Sequence, residues 1–93
     1  MREASIQTRG RLLALREAVV PVKVGYDGWP DHLMLLGNGL HFWVEWKAPG
    51  GRLRPNQVVR IEGLRQAGDT VHVLDDADAL PAHIREFRRA NSR

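Results

Sequence analysis

The chain has 93 residues, 14 Lys+Arg against 11 Asp+Glu for a formal net charge of +3, and no cysteine. That length accommodates one domain and excludes a second, and the missing cysteine excludes disulfide frameworks, thiolate nucleophiles and Cys-containing zinc sites. No apolar run approaches the ~20 residues of a membrane span. The start, Met1-Arg2-Glu3-Ala4-Ser5, lacks the apolar core of a signal peptide, so the expectation is a cytoplasmic protein with no membrane partner.

Twelve of the basic residues are arginine, with Lys23 and Lys47 the two lysines. The planar guanidinium suits phosphate oxygens, so the balance fits a polyanion partner, although solubility alone also accounts for it. At 43% hydrophobic with dispersed charge, the chain is expected to fold.

In chain order, residues 2–19 read as a helix. Glu3, Ile6, Gly10, Leu13 and Glu17 share a stripe, Leu12, Leu15 and Val19 broaden its apolar side, and Pro21 ends it. Val20 to Tyr26 alternates as a short strand, and Gly25 to Pro30 is turn-rich. Two apolar runs, Asp31–Leu36 and Leu40–Lys47, flank Gly37-Asn38-Gly39 and predict a hairpin with Gly39 left-handed. A Pro/Gly loop spans 48–54. Pro55 then opens a helix whose Val58, Ile61 and Leu64 face inward and which Gly68 closes. Val71, Val73 and Leu74 make a last strand, and 78–89 reads as a weaker basic helix broken or started at Pro81. Strand, helix and strand at the end imply a crossover over a mixed sheet, hence an α/β fold.

The hairpin register carries the chemistry. A three-residue loop pairs positions whose numbers add to 76, which sets Asp31 opposite Glu45; a two-residue loop makes the sum 77 and sets Asp31 opposite Trp46 instead. Like charges directly opposed destabilise a hairpin, so a cation is expected between Asp31 and Glu45. Alternation sends Leu40, Phe42, Val44 and Trp46 to one face and His41, Trp43, Glu45 and Lys47 to the other. Two acids and an ammonium suit a hard divalent ion beside a phosphate, and Glu3, on the sheet-facing stripe of the first helix, can complete the shell. The bland reading is a turn aspartate and a solvated strand face with a local charge pair. His32, His41, His72 and His83 show no zinc spacing, and no Walker loop or ordered Ser/His/Asp set is present.

These residues also resemble a known family. Gly28-Trp29-Pro30-Asp31, then Phe42 to Gly51 (FWVEWKAPGG), Leu53 to Gln57 (LRPNQ), Leu64 to Gly68 (LRQAG) and Val71-His72-Val73 are similar, in order, to the VRR-NUC nucleases of the PD-(D/E)XK superfamily. The likeness covers about residues 3–79, with a basic helical tail at about 80–93. It implies an αβββαβ core with helices flanking a mixed sheet, and hydrolysis of DNA phosphodiesters dependent on Mg²⁺ or Mn²⁺. Asp31 and Glu45 match the metal-binding acids, with the Trp46 carbonyl as a further ligand. Glu3 corresponds to the acid of the first helix, Lys47 to the catalytic lysine, and Gln57 to a glutamine that orients lysine or water. Single-domain relatives are phage or bacterial and imply a homodimer acting on branched DNA such as four-way (Holliday) junctions. Two departures concern packing: Trp46 replaces a smaller apolar residue, and Arg54 replaces a small polar helix cap.

Arginines fall on the first helix (Arg9, Arg11, Arg16), in the loop after Lys47 (Arg52, Arg54) and in the tail (Arg85, Arg88, Arg89, Arg93). Arg52 and Arg54, with Arg9 and His41, are the candidates for phosphate contacts, which give salt-sensitive binding without sequence readout. Trp29, Trp43 and Trp46 are candidates for base stacking, with core or interface packing as the alternative.

Overall fold

A computed structural model describes residues 2–92. Helix α1 (Glu3–Arg16) leads into strand β1 (Val20–Lys23), the hairpin β2 (His32–Gly37) and β3 (Leu40–Trp46), helix α2 (Pro55–Gln66), strand β4 (Val71–Leu74) and, after a short 3₁₀ turn at Ala77–Ala79, helix α3 (Leu80–Ala90). The sheet order is β1-β2-β3-β4. β1, β2 and β3 are antiparallel neighbours, whereas β4 runs parallel to β3. This is the expected αβββαβ order with a mixed sheet, and α2 is the crossover that a parallel pair requires.

Alternation along β3 separates the two sides of the sheet. Phe42, Val44 and Trp46 are fully buried with Ile6, Leu13 and Ala14 of α1 and Leu80 and Ile84 of α3. Trp43 and Glu45 point to the other side, which α2 covers with Gln57 and Ile61. Trp46 owes its place in the core to Gly10 of α1, where any Cβ would overlap the indole ring. The bulky indole is thus matched by a glycine across the interface.

Several expectations change in detail. α1 stops at Arg16, five residues before Pro21, because Ala18 takes a left-handed conformation (φ 59°) and the Val19 N–H returns to the Ala14 carbonyl. Pro21 lies instead within β1, an edge strand, where its missing N–H can be accommodated. Leu12 and Leu15 are exposed, as is Val58 of α2, so the apolar stripes are narrower than the spacing implies. Residues 80–90 of the segment read as a basic tail form a packed helix, in which Leu80, Ile84 and Phe87 recur at i, i+4 and i+7 against the core, while Arg93 lies outside the described residues. Phe87 meets Phe42 edge-on at 5.3 Å, and Arg85 and Arg88 bind the carboxylate and carbonyl of Glu17 at the end of α1.

The hairpin reconciles both loop lengths. Its turn is the two-residue Asn38-Gly39, both left-handed (φ 55° and 78°), and Gly37 pairs with Leu40. An irregularity between Leu35 and Gly37 then inserts one residue, so that Leu35 pairs with His41 and His32 with Val44. The body of the hairpin therefore has the register of a three-residue loop, and its continuation brings Asp31 opposite Glu45. None of the helices is long and apolar enough to cross a membrane among the described residues.

Candidate active site

Where β2 meets the preceding loop, the ladder ends for a local reason: Pro30 has no N–H to continue it. The Asp31 carbonyl still accepts the Val24 N–H (2.9 Å) from β1, which fixes its backbone. Its side chain turns to β3, where Oδ2 accepts the Trp46 N–H (2.8 Å). Glu45, on the α2-covered face of β3, is 1% exposed. Glu3 comes from the first turn of α1. One carboxylate oxygen from each of Glu3, Asp31 and Glu45 lies within 4.8 Å of the others, so three elements distant in sequence converge on one point.

Lys47 follows β3 and places Nζ 3.6 Å from Oε2 of Glu45, with its side chain 13% exposed. The same oxygen accepts Nε2–H of Gln57 (3.1 Å). The other end of that amide, Oε1, accepts the N–H of Arg54 (2.8 Å) at the start of α2. These two bonds determine the amide's orientation, since a flipped amide would place donor against donor and acceptor against acceptor. Arg54 offers no acceptor to cap the helix in return, so Gln57 supplies the cap from inside the first turn. Gln57 therefore holds Glu45, whereas the expectation was that it orients the lysine or water.

Burial pushes Glu45 up to about 7, the Asp31 carboxylate adds to the rise, and Lys47 draws it down. Burial also raises Asp31, against the Trp46 N–H bond that favours its ionised form. Such a pair resists holding its negative charges together without a cation. Oε1 of Glu45 is buried with no hydrogen-bond partner. A buried carboxylate oxygen left unsatisfied is costly, and three convergent carboxylates around it are a hard-oxygen donor set that suits a divalent cation such as Mg²⁺, Mn²⁺ or Ca²⁺. The residues present fit the implied metal.

The other expected residues scatter. Arg54 bonds Asp27 (2.8 Å) and Arg9 bonds Asp78 (2.7 Å), so both guanidinium groups are engaged. His41 and the Trp43 indole share Asp69, at 3.3 and 2.8 Å, away from the carboxylates along β3. Arg52 is exposed and makes no side-chain ion pair among the described residues. His32 is fully buried and accepts the Trp46 indole N–H at Nδ1 (3.2 Å); burial holds it down to about 4, so it is a neutral core residue, as the absence of a histidine motif suggests. Trp46 itself is core rather than a stacking surface, although its backbone adjoins Asp31. Sequence reasoning did not single out Asp27 and Asn56, which bond each other (3.0 Å) across the loop before Asp31 and the start of α2. No local pattern marks a pair that far apart.

No family model matches the chain. It is 42% identical over 64 residues, covering 66% of this chain and 69% of the relative, to a protein described as "Putative nuclease p44" of Acyrthosiphon pisum secondary endosymbiont phage 1. Its fold superposes with a TM-score of 0.80 on a solved structure described as a VRR_NUC domain, covering 91% of this chain and 96% of that one at 24% identity. Fold and site together define a nuclease-type α/β domain. The chain belongs to the family of that phage protein, and its fold is that of a VRR_NUC domain.

Proposed function

We propose that the protein is a DNA endonuclease dependent on Mg²⁺ or Mn²⁺ that cuts branched DNA, four-way junctions in particular, as a homodimer in the cytoplasm of a bacterial or phage-infected cell. The observation that carries the nuclease reading is the Glu3, Asp31 and Glu45 cluster with Lys47 at its edge. The relative named as a nuclease supports it. A divalent ion held by the three carboxylates, with the Trp46 carbonyl as a further ligand, would supply Lewis-acid charge to the scissile phosphate.

The chain's own residues do the rest. The Trp46 N–H and Gln57 amide hold Asp31 and Glu45 in place before substrate arrives, which removes reorganisation from the reaction. Lys47, tethered to Glu45 yet partly open to solvent, can hold a non-bridging phosphate oxygen and stabilise the charge that grows on it. Arg52, five residues on in the exposed loop, is available to the flanking phosphates. A contact set of this kind reads backbone shape rather than bases, which suits branched DNA. A two-fold junction that is cut symmetrically asks for two copies of one site, which is the reason for a dimer.

The test is cleavage of a synthetic four-way junction beside linear duplex, flap and single strand, with Mg²⁺, Mn²⁺ or EDTA. Junction cutting that requires metal is expected, and Asp31→Asn or Lys47→Ala should lower its rate by about 10²-fold or more. Undiminished cutting by either variant would refute the site. Salt-sensitive binding without cutting of any DNA would make the chain a silent DNA-binding module. A monomer by light scattering would remove the dimer and leave the chemistry standing.

A further inference from the structure

Helix α2 presents two adjacent faces. Gln57, Ile61 and Leu64 lie toward the sheet at i, i+4 and i+7, whereas Asn56 and Arg60, one turn apart, lie toward the loop of residues 24–31. That loop carries Asp31 and has no regular structure to hold it. Its hold comes from α2 instead. The Asp27 carboxylate accepts from Arg54 at Oδ1 (2.8 Å) and from Asn56 at Oδ2 (3.0 Å). The Arg60 guanidinium sits 4.3 Å from the Trp29 ring centre, and Trp29 packs in turn on Trp43 of β3 at 5.6 Å. Between these two anchors Gly28 is buried in a left-handed conformation (φ 84°), with Asn56 so close that a Cβ would meet its amide at 3.2 Å.

We infer that the first two turns of α2 are a template that positions the metal-binding carboxylates: Asp27 on Arg54 and Asn56, and Trp29 between Arg60 and Trp43, set the loop that aims Asp31, while Gln57 of the first turn aims Glu45. The inference rests on the nuclease reading for its purpose and assigns Arg54 to the loop rather than to DNA. Asp27, Trp29 and Arg60 are positioning residues that act through Asp31. The physical reason for such a device is that one rigid element spaces two acids whose mutual repulsion would otherwise drive them apart. An exposed Arg54–Asp27 pair contributes little to global stability on its own, so its consequence is expected at the site.

The experiment measures Mn²⁺ binding by titration calorimetry, DNA binding in EDTA, and intrinsic tryptophan fluorescence of the full chain, for wild type, Asp27→Ala, Trp29→Ala, Trp29→Phe and Glu45→Gln. Glu45→Gln identifies the cluster as the binding site by abolishing the isotherm. Asp27→Ala and Trp29→Ala should weaken Mn²⁺ binding about 10-fold or more, the scale of supporting-residue effects at metal sites. Trp29→Phe, which keeps a ring for Arg60, should recover most of the loss, and DNA binding in EDTA should be unchanged. Asp27→Ala removes an exposed side chain and serves if Trp29→Ala fails to fold. Wild-type Mn²⁺ affinity in both alanine variants would overturn the template, and weakened DNA binding in EDTA alongside it would make these residues DNA contacts. A wild type that binds Mn²⁺ without cutting DNA would sink the nuclease reading and leave the template intact. A wild type that binds no divalent ion would overturn both.

Discussion

Glu45 concentrates the physics of the site in one side chain. It is buried, shares one oxygen between Gln57 and Lys47, leaves the other without a partner, and is pushed up to about 7 from an ordinary 4.5. Its proton and a cation therefore compete for the same oxygens. Mn²⁺ affinity should weaken by about tenfold per pH unit below 7 and level off above it, as one proton is displaced per ion bound. Calorimetry across pH 5.5 to 8.5 checks this, and a flat profile would remove Glu45 from the ligand set. The sign for the metal-free fold is opposite: an acid whose folded-state pKa is raised contributes stability that is fully present below 4.5 and lost as pH rises through about 7. Gly10 is the second decisive position. Alanine would gain helix propensity of about 1 kcal/mol but drive a methyl group into the buried Trp46 ring, and overpacking of that kind costs about 1 to 3 kcal/mol. The ring is held by core on all sides and by its bond to His32, so overpacking wins. Urea unfolding should show Gly10→Ala less stable, and a stabilised variant would mean that the indole yields.

Among the elements, β3 and α2 decide the site, whereas α3 decides whether the sheet is covered. β3 exposes alternate residues to two different environments, an apolar core and the cleft beneath α2, which is why Trp46 and Lys47, adjacent in sequence, have unrelated roles. α3 carries three of the chain's arginines, Arg85, Arg88 and Arg89, near its end yet buries Leu80 and Ile84 completely. Charge count alone makes such a segment look like a solvated tail; its i, i+4, i+7 apolar stripe is the better guide. Ile84→Ala should cost about 2 to 5 kcal/mol by urea unfolding. A loss below about 0.5 kcal/mol, the range of surface substitutions, would return α3 to the status of an appendage.

At the scale of the whole molecule, the sheet brings Glu3, Asp31 and Glu45 from positions 28 and 14 residues apart to one point. Much of this was legible beforehand. The element order, Pro55 at the start of α2, Gly68 at its end and the two faces of β3 follow from periodicity and turn chemistry, which are local and act within a few residues. Asp31 opposite Glu45 was legible too, but as one of two registers. The turn itself is the shorter one, and the irregularity beside Leu36 restores the other, a choice made by which side chains the core accepts. What tertiary structure alone decided is the pairing of groups distant in the chain: Gly10 under Trp46, Asp27 on Arg54 and Asn56, Arg60 on Trp29, and Gln57 on Glu45 rather than on Lys47. Local sequence determined which residues are able to do the chemistry, because residue type and alternation set charge and face. Packing decided what holds them, because those contacts exist only once α2 lies across the sheet.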